Sequence, residues 1–187
     1  DSSAFENCTS LTTVSMPKLT KVSSNLFKNC SSLTVADLPS IIYIDSYAFS
    51  GTSLKYGYFP KVTEIGTYAF KDASMLKYAM MPAAESVSTG CFMGCTSLKY
   101  VCLSSAKEIK VNTFSGCDSL KSLWLPSVEK VNSNAFNNSS IEYLQFDSVI
   151  SIAHLPSTLK GIIISSTLET VSAKIPSTDF AVYGYND

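Results

Sequence analysis

The sequence has little charge and no long apolar run. Charged residues make up 16% of the chain and hydrophobic residues 45%, a balance that excludes a disordered segment and favours extensive burial. The formal net charge of −1 provides no overall attraction to nucleic acid or to an anionic membrane. No apolar run reaches about 18 residues. We therefore predict neither a nucleic-acid partner nor insertion into a membrane.

Residues that signal catalysis are equally scarce. No glycine-rich phosphate-binding loop is present. His154, the single histidine, lacks the Ser or Cys companion that a catalytic imidazole needs. We predict no catalytic residue and no cofactor.

One pattern, with a period of about 22 residues, fills most of the chain. It is seen by comparing Phe92–Val111, FMGCTSLKYVCLSSAKEIKV, with Phe114–Val131, FSGCDSLKSLWLPSVEKV. Seven repeats begin at Phe5, Phe27, Phe49, Phe70, Phe92, Phe114 and Phe136. Their spacing is constant except in the third repeat, which has one residue fewer between Phe49 and Leu54. A fixed period in the twenties predicts a solenoid.

Each repeat contains one short segment with the alternation of a β-strand. The segments open at Leu11, Leu33, Leu54, Leu76, Leu98, Leu120 and Ile141. Apolar residues follow three and five positions later, and a Pro commonly ends the segment because it cannot donate to a ladder. Strands with one direction in stacked coils are expected to pair in parallel and to share one continuous core.

The six cysteines are explained by packing. Four of them, Cys8, Cys30, Cys95 and Cys117, lie three residues after the Phe of their repeats. Ala73 fills this column in the fourth repeat, so the column is a small buried slot. Stacked slots hold parallel Cβ vectors, which suit a disulfide poorly. Cys91 and Cys95 both fall in packing columns, and we predict free thiols and no metal site.

The repeat A-F-x-x-C-x-S-L-x-x-V-x-L-P-x-V-x-x-I resembles the leucine-rich repeat of the BspA-like family. Three copies show it, AFENCTSLTTVSMPKLTKV, LFKNCSSLTVADLPSIIYI and TFSGCDSLKSLWLPSVEKV, and the resemblance covers about residues 1–172. It implies a mainly β, right-handed leucine-rich-repeat solenoid with a parallel sheet, seven to eight repeats of about 22 residues, and short helical or irregular turns. We predict a single domain over 1–187, with regular repeats over 1–155 and a degenerate last repeat and C-terminal cap strand over 156–187.

The resemblance also carries an implication for function. It implies a non-enzymatic bacterial protein, secreted or on the cell surface, that adheres to a host extracellular protein or glycan or to another cell-surface protein. No signal peptide is visible, and Asp1 falls in the middle of a repeat. We therefore expect the sequence to be part of a longer protein.

One column departs from many other leucine-rich repeats. The position eight residues after the Leu is apolar, with Leu19, Ile41, Val62, Ala84, Ala106, Val128 and Val149, where other subfamilies place a hydrogen-bonding Asn. We therefore expect no Asn ladder, and turns that are held by other bonds.

Aromatic residues are concentrated at the outward positions of the predicted main sheet, two and four residues after each Leu. From the third to the seventh repeat these positions hold Tyr56, Tyr58, Tyr78, Met80, Tyr100, Cys102, Trp124 and Tyr143. Residues two apart on a strand share a face, and a contiguous exposed aromatic patch commonly marks an interaction site. The alternatives are a ladder that only stabilises the sheet, and a surface covered by a flanking segment.

A column of lysines borders this surface, one residue after each Leu, at Lys55, Lys77, Lys99 and Lys121. The lysines are interpreted either as a solvated edge that prevents aggregation or as a basic margin that binds an acidic peptide or anionic glycan. With the aromatic residues and Met80, but without Cys102, they form the predicted ligand-binding set.

Two other functions fit a solenoid of this size. The repeats could serve only as a spacer that displays another domain. A parallel β-helix enzyme that degrades glycans also has coils of this length, but it needs clustered carboxylates on one face. The outward columns offer only Asp37, which disfavours the enzyme.

Overall fold

The chain forms a β-solenoid of short strands joined by turns. The computed structural model describes residues 2–164, 168–172 and 181–184. The strands are β1 (Thr13–Ser15), β2 (Lys21–Val22), β3 (Val35–Asp37), β4 (Tyr43–Ile44), β5 (Tyr56–Tyr58), β6 (Glu64–Ile65), β7 (Tyr78–Met80), β8 (Ser86–Val87), β9 (Tyr100–Cys102), β10 (Glu108–Ile109), β11 (Ser122–Leu125), β12 (Lys130–Val131), β13 (Tyr143–Phe146), β14 (Ser151–Ile152), β15 (Gly161–Ile164), β16 (Thr170–Val171) and β17 (Ala181–Gly184). The described residues include no helix, so the turns are irregular rather than helical.

The strands pair in parallel from one coil to the next, as the repeat predicts. Odd-numbered strands build the main sheet, and even-numbered strands build a second, narrower sheet whose ladder is interrupted between β8 and β10. Residues at the same repeat position face each other, as in the pairing of Tyr56 with Tyr78 and of Tyr78 with Tyr100. Both ladders continue past the seventh repeat through β15 and β16, and β17 adds to β15. The expected C-terminal cap strand is confirmed over Ala181–Gly184. The residues directly before and after it lie outside the described residues.

The main sheet is not one continuous ladder. It divides into β1–β3, β5–β7–β9 and β11–β13–β15–β17. The first division, between β3 and β5, follows the shorter turn between Phe49 and Leu54. There the Thr52 hydroxyl donates to the Phe49 carbonyl at 2.8 Å. The second division, between β9 and β11, occurs where the repeat has its full length.

Backbone hydrogen bonds at the Phe turns form a third ladder, which takes the place of the absent Asn ladder. In the first repeat the N–H groups of Ser3, Phe5 and Asn7 donate to carbonyls of the second repeat at 3.1, 3.0 and 2.8 Å. The same three bonds recur through the fifth repeat. The turns require a left-handed conformation two residues before and two residues after each Phe, with φ between 53° and 73°. Asn, Gly and Asp fill most of these positions because they tolerate positive φ.

The core is a column of stacked Phe rings between the two sheets. Neighbouring ring centroids along Phe5, Phe27, Phe49, Phe70, Phe92, Phe114 and Phe136 lie 5.3–6.1 Å apart. All except Phe5 are fully buried or 1% exposed. Gly57 leaves an inward gap in the short repeat, and the Phe59 ring packs between Phe49 and Phe70 there.

The cysteine column contributes thiol hydrogen bonds as well as small volume. The thiols of Cys30, Cys95 and Cys117 donate to the carbonyls of Phe5, Phe70 and Phe92 at 3.0, 3.1 and 3.3 Å. All six cysteines are free, and only Cys8 and Cys102 are partly exposed. This agrees with the prediction of free thiols. Burial raises the pKa of the Cys91, Cys95 and Cys117 thiols well above the ordinary value.

The Phe column ends at His154. The His154 ring lies 6.2 Å from the Phe136 ring, and its Nδ1 accepts a hydrogen bond from the Phe136 N–H at 3.3 Å. In earlier repeats this N–H binds a backbone carbonyl of the next coil. The only histidine of the chain therefore closes the Phe column, while the core continues through Leu155, Leu159 and Ile162.

Removing one ring from the column tests its contribution to stability. Phe92→Ala is expected to lower the free energy of unfolding by about 3–5 kcal/mol, since it removes a fully buried ring and leaves a cavity. Asp118→Ala, at an exposed turn position, is the control and is expected to change it by less than about 0.5 kcal/mol. Urea titrations measure both, and a loss below about 1 kcal/mol for Phe92→Ala contradicts the stacked core.

The cap at His154 makes stability depend on pH. Burial lowers the pKa of His154 below its ordinary value of 6.5, so folding favours the neutral ring that accepts from Phe136. This contribution is complete above pH 6.5 and is lost as the pH falls through the lower, folded-state pKa. His154→Asn keeps an acceptor near Nδ1 but cannot titrate. Between pH 7.5 and pH 5.5, the free energy of unfolding is expected to fall more for the wild type than for His154→Asn, as measured by unfolding titrations. Equal decreases for the two proteins exclude this cap.

Candidate functional site

The outward side of the main sheet carries the aromatic residues that the sequence singled out. We call this surface the aromatic face; its residues are Tyr56, Tyr58, Tyr78, Met80, Tyr100, Cys102, Trp124 and Tyr143. The Tyr and Trp side chains are exposed, with Tyr58 at 66% and Trp124 at 54%, whereas Met80 and Cys102 are half-buried. Their binding role stays a prediction.

The first part of the aromatic face lies on β5, β7 and β9. Parallel pairing brings Tyr56, Tyr78 and Tyr100 into one row across these strands. The Tyr56 and Tyr78 rings stack with centroids 5.4 Å apart and an angle of 6° between their planes. Tyr58 and Met80 form a parallel row beside them. Two adjacent rows therefore present ring faces and a thioether to solvent.

The second part is a groove where the main sheet divides. The groove lies over β9, β11, β13 and β15 and encloses about 410 Å³. Tyr100 and Cys102 lie on one side of the division, and Trp124 and Tyr143 lie on the other. Lys99, Ser122 and Gln145 add polar groups to the lining. The groove has the size and the largely apolar lining of small-ligand sites in proteins.

An acidic residue that the sequence did not indicate positions the tryptophan. Asp147 accepts from Trp124 Nε1 at 3.1 Å through Oδ2 and from Gln145 Nε2 at 3.2 Å through Oδ1. It follows β13 and lies outside the two columns from which the site was predicted. The one feature of the sequence that could have indicated Asp147 is its position four residues after Tyr143, just past the end of the strand.

Some lysines of the lysine column are paired with a carboxylate and others are not. Lys121 forms an ion pair with Glu142 at 3.2 Å, and Lys160 binds the same carboxylate at 2.7 Å. Within the described ranges, Lys55, Lys77 and Lys99 have no carboxylate within ion-pair distance. The column therefore provides unneutralised positive charge beside the first part of the aromatic face and at one side of the groove.

A second aromatic pair lies on the turn side, and the sequence did not predict it. Tyr47 and Tyr68 adopt φ values of 58° and 57°, which bulky residues rarely occupy. Their rings lie 5.2 Å apart, and the Lys28 ammonium lies 5.7 Å from the Tyr47 ring. Gly90 leaves space for Tyr68, because a Cβ at this position would collide with the Tyr68 ring. The sequence could have indicated this pair, because Tyr47 and Tyr68 both lie two residues before the Phe of their repeats.

Within residues 2–164, 168–172 and 181–184, no group of three or more His, Cys, Asp and Glu side chains is arranged to hold a metal ion. The same described ranges contain no helix of the length and hydrophobicity that a membrane crossing requires.

The repeat matches a known sequence family. Residues 1–99 and 85–175 match the family described as the BspA type leucine rich repeat region, in six copies. No curated protein has a matching sequence.

Three solved bacterial structures are similar to this chain. A leucine-rich repeat protein from Bacteroides ovatus ATCC 8483 is 25% identical with a TM-score of 0.61, over 98% of this chain and 54% of that one. A leucine rich cell surface protein from Faecalibacterium prausnitzii A2-165 is 23% identical with a TM-score of 0.41, over 92% and 62%. The pneumococcal vaccine antigen PcpA is 18% identical with a TM-score of 0.48, over 92% and 59%. This chain therefore spans less than two thirds of the length of each.

Proposed function

Because this chain belongs to the BspA-type leucine-rich-repeat family, we propose that it is a non-enzymatic binding module of a secreted or cell-surface protein. Its partner is a host extracellular protein or glycan, or another cell-surface protein. The module binds through the aromatic face, and the lysine column orients an anionic group of the partner. Surface location and adhesion are what the family resemblance implies, and no nucleic acid or membrane insertion is involved.

The observation that supports this proposal is the exposure of the aromatic face. Six Tyr and Trp side chains over five consecutive repeats are each at least 40% exposed. A contiguous exposed apolar patch is uncommon on a monomer. Tyr and Trp provide large contact areas with few rotatable bonds and a polar group at one end.

The competing interpretation is that these rings only stabilise the sheet. It accounts for Tyr56 and Tyr78, whose rings stack on each other. It does not account for Tyr58 or Tyr100, which are 66% and 51% exposed and have no close partner ring among the described residues. A purely structural ladder leaves their exposed area without a role.

Two other functions, a glycan-degrading enzyme and a spacer, are disfavoured by the residues on the aromatic side of the sheet. A glycan-degrading enzyme needs carboxylates that converge on one face. Asp37 on the aromatic side accepts from Ser15 at 2.9 Å, and Asp147 accepts from Trp124 and Gln145. These distant, hydrogen-bonded carboxylates do not form an acid–base pair. A spacer function requires no exposed aromatic rows.

Removal of three aromatic side chains tests the binding surface. The variant with Tyr58→Ala, Tyr100→Ala and Trp124→Ala is expected to lose binding to a panel of extracellular matrix proteins and glycans while keeping its circular dichroism spectrum. Tyr43→Ala is the matched control, since Tyr43 is an exposed tyrosine on the second sheet. Unchanged binding by the triple variant excludes the aromatic face, and an absence of any partner for the wild type favours the spacer.

The lysine column predicts that binding weakens with salt. Exposed charges are screened beyond about 10 Å at 0.1 M salt and about 3 Å at 1 M. The affinity of the wild type is expected to fall between these two concentrations, and the fall is expected to be smaller when Lys55, Lys77 and Lys99 are replaced by Gln. An affinity that does not change with salt assigns the lysines to the solvated edge alone.

A further inference from the structure

We propose that the groove over β9, β11, β13 and β15 is the primary subsite of the aromatic face and that it binds an acidic sugar unit of an oligosaccharide. This inference rests on the proposed function and makes it more specific, because it selects one ligand class and one location.

The groove spans the division between β9 and β11, where the ladder of backbone hydrogen bonds is interrupted. Within each part of the main sheet a residue just outside one strand binds the next coil, as when the Met81 N–H donates to the Cys102 carbonyl at 3.0 Å and the Tyr143 N–H to the Lys121 carbonyl at 3.1 Å. No equivalent bond joins Leu103 or Ser122 across the division. The two strands are therefore adjacent without a ladder between them, and aromatic side chains lie on both sides of the division.

The lining suits a ring that has apolar faces and many hydroxyl groups. Trp124 and Tyr100 are about half-exposed, so their ring faces are open to the apolar C–H face of a pyranose. Ser122 and Gln145 lie in the same lining and supply both donors and acceptors. Asp147 fixes the Trp124 ring through the hydrogen bond to Nε1, so less conformational freedom is lost when a ligand binds.

The charge of the groove selects an anionic ligand. Lys99 lies in the lining, and no described carboxylate is within ion-pair distance of it. The equivalent lysine of the next repeat, Lys121, is already paired with Glu142. Lys99 is therefore positioned to bind a carboxylate or sulfate of the ligand without breaking an existing ion pair.

Recognition of a peptide backbone is disfavoured at this position. A peptide that adds to a sheet needs an open edge, and one inserted between two strands needs them roughly 9.6 Å apart, twice the usual spacing. Cα atoms of β9 and β11 remain within 8 Å of each other. A ligand in the groove therefore meets side chains above the sheet and not the backbone of either strand.

The test uses titration calorimetry with four probes of defined chemistry. They are a tetragalacturonate, its carboxyl-reduced neutral counterpart, a sulfated tetrasaccharide and a hexaglutamate peptide. We expect one or both acidic oligosaccharides to bind at least about tenfold more tightly than the neutral one, with no binding of the peptide. Trp124→Ala and Lys99→Gln are expected to weaken this binding about tenfold or more, whereas the control Lys130→Gln, at an exposed lysine on the second sheet, changes it less than about twofold.

The reactivity of Cys102, which lies in the groove, gives an independent measurement of where the oligosaccharide binds. When Cys8 is replaced by Ala, all cysteines other than Cys102 are buried. Alkylation of this variant therefore reports on Cys102. A bound acidic oligosaccharide is expected to slow this alkylation at least about tenfold. Binding without protection overturns the location, and equal binding of the neutral probe overturns the role of charge.

The remaining outcomes separate this inference from the proposed function. If hexaglutamate binds and the acidic oligosaccharides do not, the ligand class is wrong. If no probe binds but a matrix protein does so through the aromatic face, the groove inference fails and the proposed function stands. If the triple aromatic variant binds every partner of the wild type, both fail.

Discussion

The fold depends on keeping the same residue of every coil in line with its counterparts. Three parallel backbone ladders, one in each sheet and one at the Phe turns, set the spacing between coils. The Phe rings then stack at 5.3–6.1 Å because the backbone places them there, and they are among the largest side chains that folding removes from water. Neither element is sufficient alone, since a coil cannot cover its own apolar side and unsupported turns would leave buried polar groups unpaired.

The same alignment generates the aromatic face. Once the inward positions of the strands are fixed by the core, the intervening residues point to solvent in rows that run along the solenoid. A residue type that recurs in the sequence thereby becomes a row in space, which is why four tyrosines from separate repeats form one surface. Interruptions of a ladder then have local consequences, because they change how neighbouring rows approach each other without disturbing the core beneath them.

Period and alternation were sufficient to predict the solenoid, the parallel pairing, the buried columns and the composition of the aromatic face. They could not reveal the division between β9 and β11, since the spacing of the Phe residues is preserved there and only hydrogen bonding changes. The role of His154 was also hidden, because the Phe pattern has already ended when it occurs. Asp147 lies beyond the end of its strand, where alternation carries no information. The positive-φ positions could have been found, as Asn, Gly and Asp recur two residues from the Phe.

The short third repeat shows where this architecture tolerates changes in length. Its missing residue lies in the turn after Phe49, and β5 beyond it pairs with β7 in the same register as every other strand of the main sheet. A residue lost within a strand would instead exchange the inward and outward side chains of that coil. Gain or loss of whole repeats avoids this exchange altogether. The length of the outward surface of the main sheet can therefore change in steps of one coil, about 4.8 Å, while each coil keeps its own side chains.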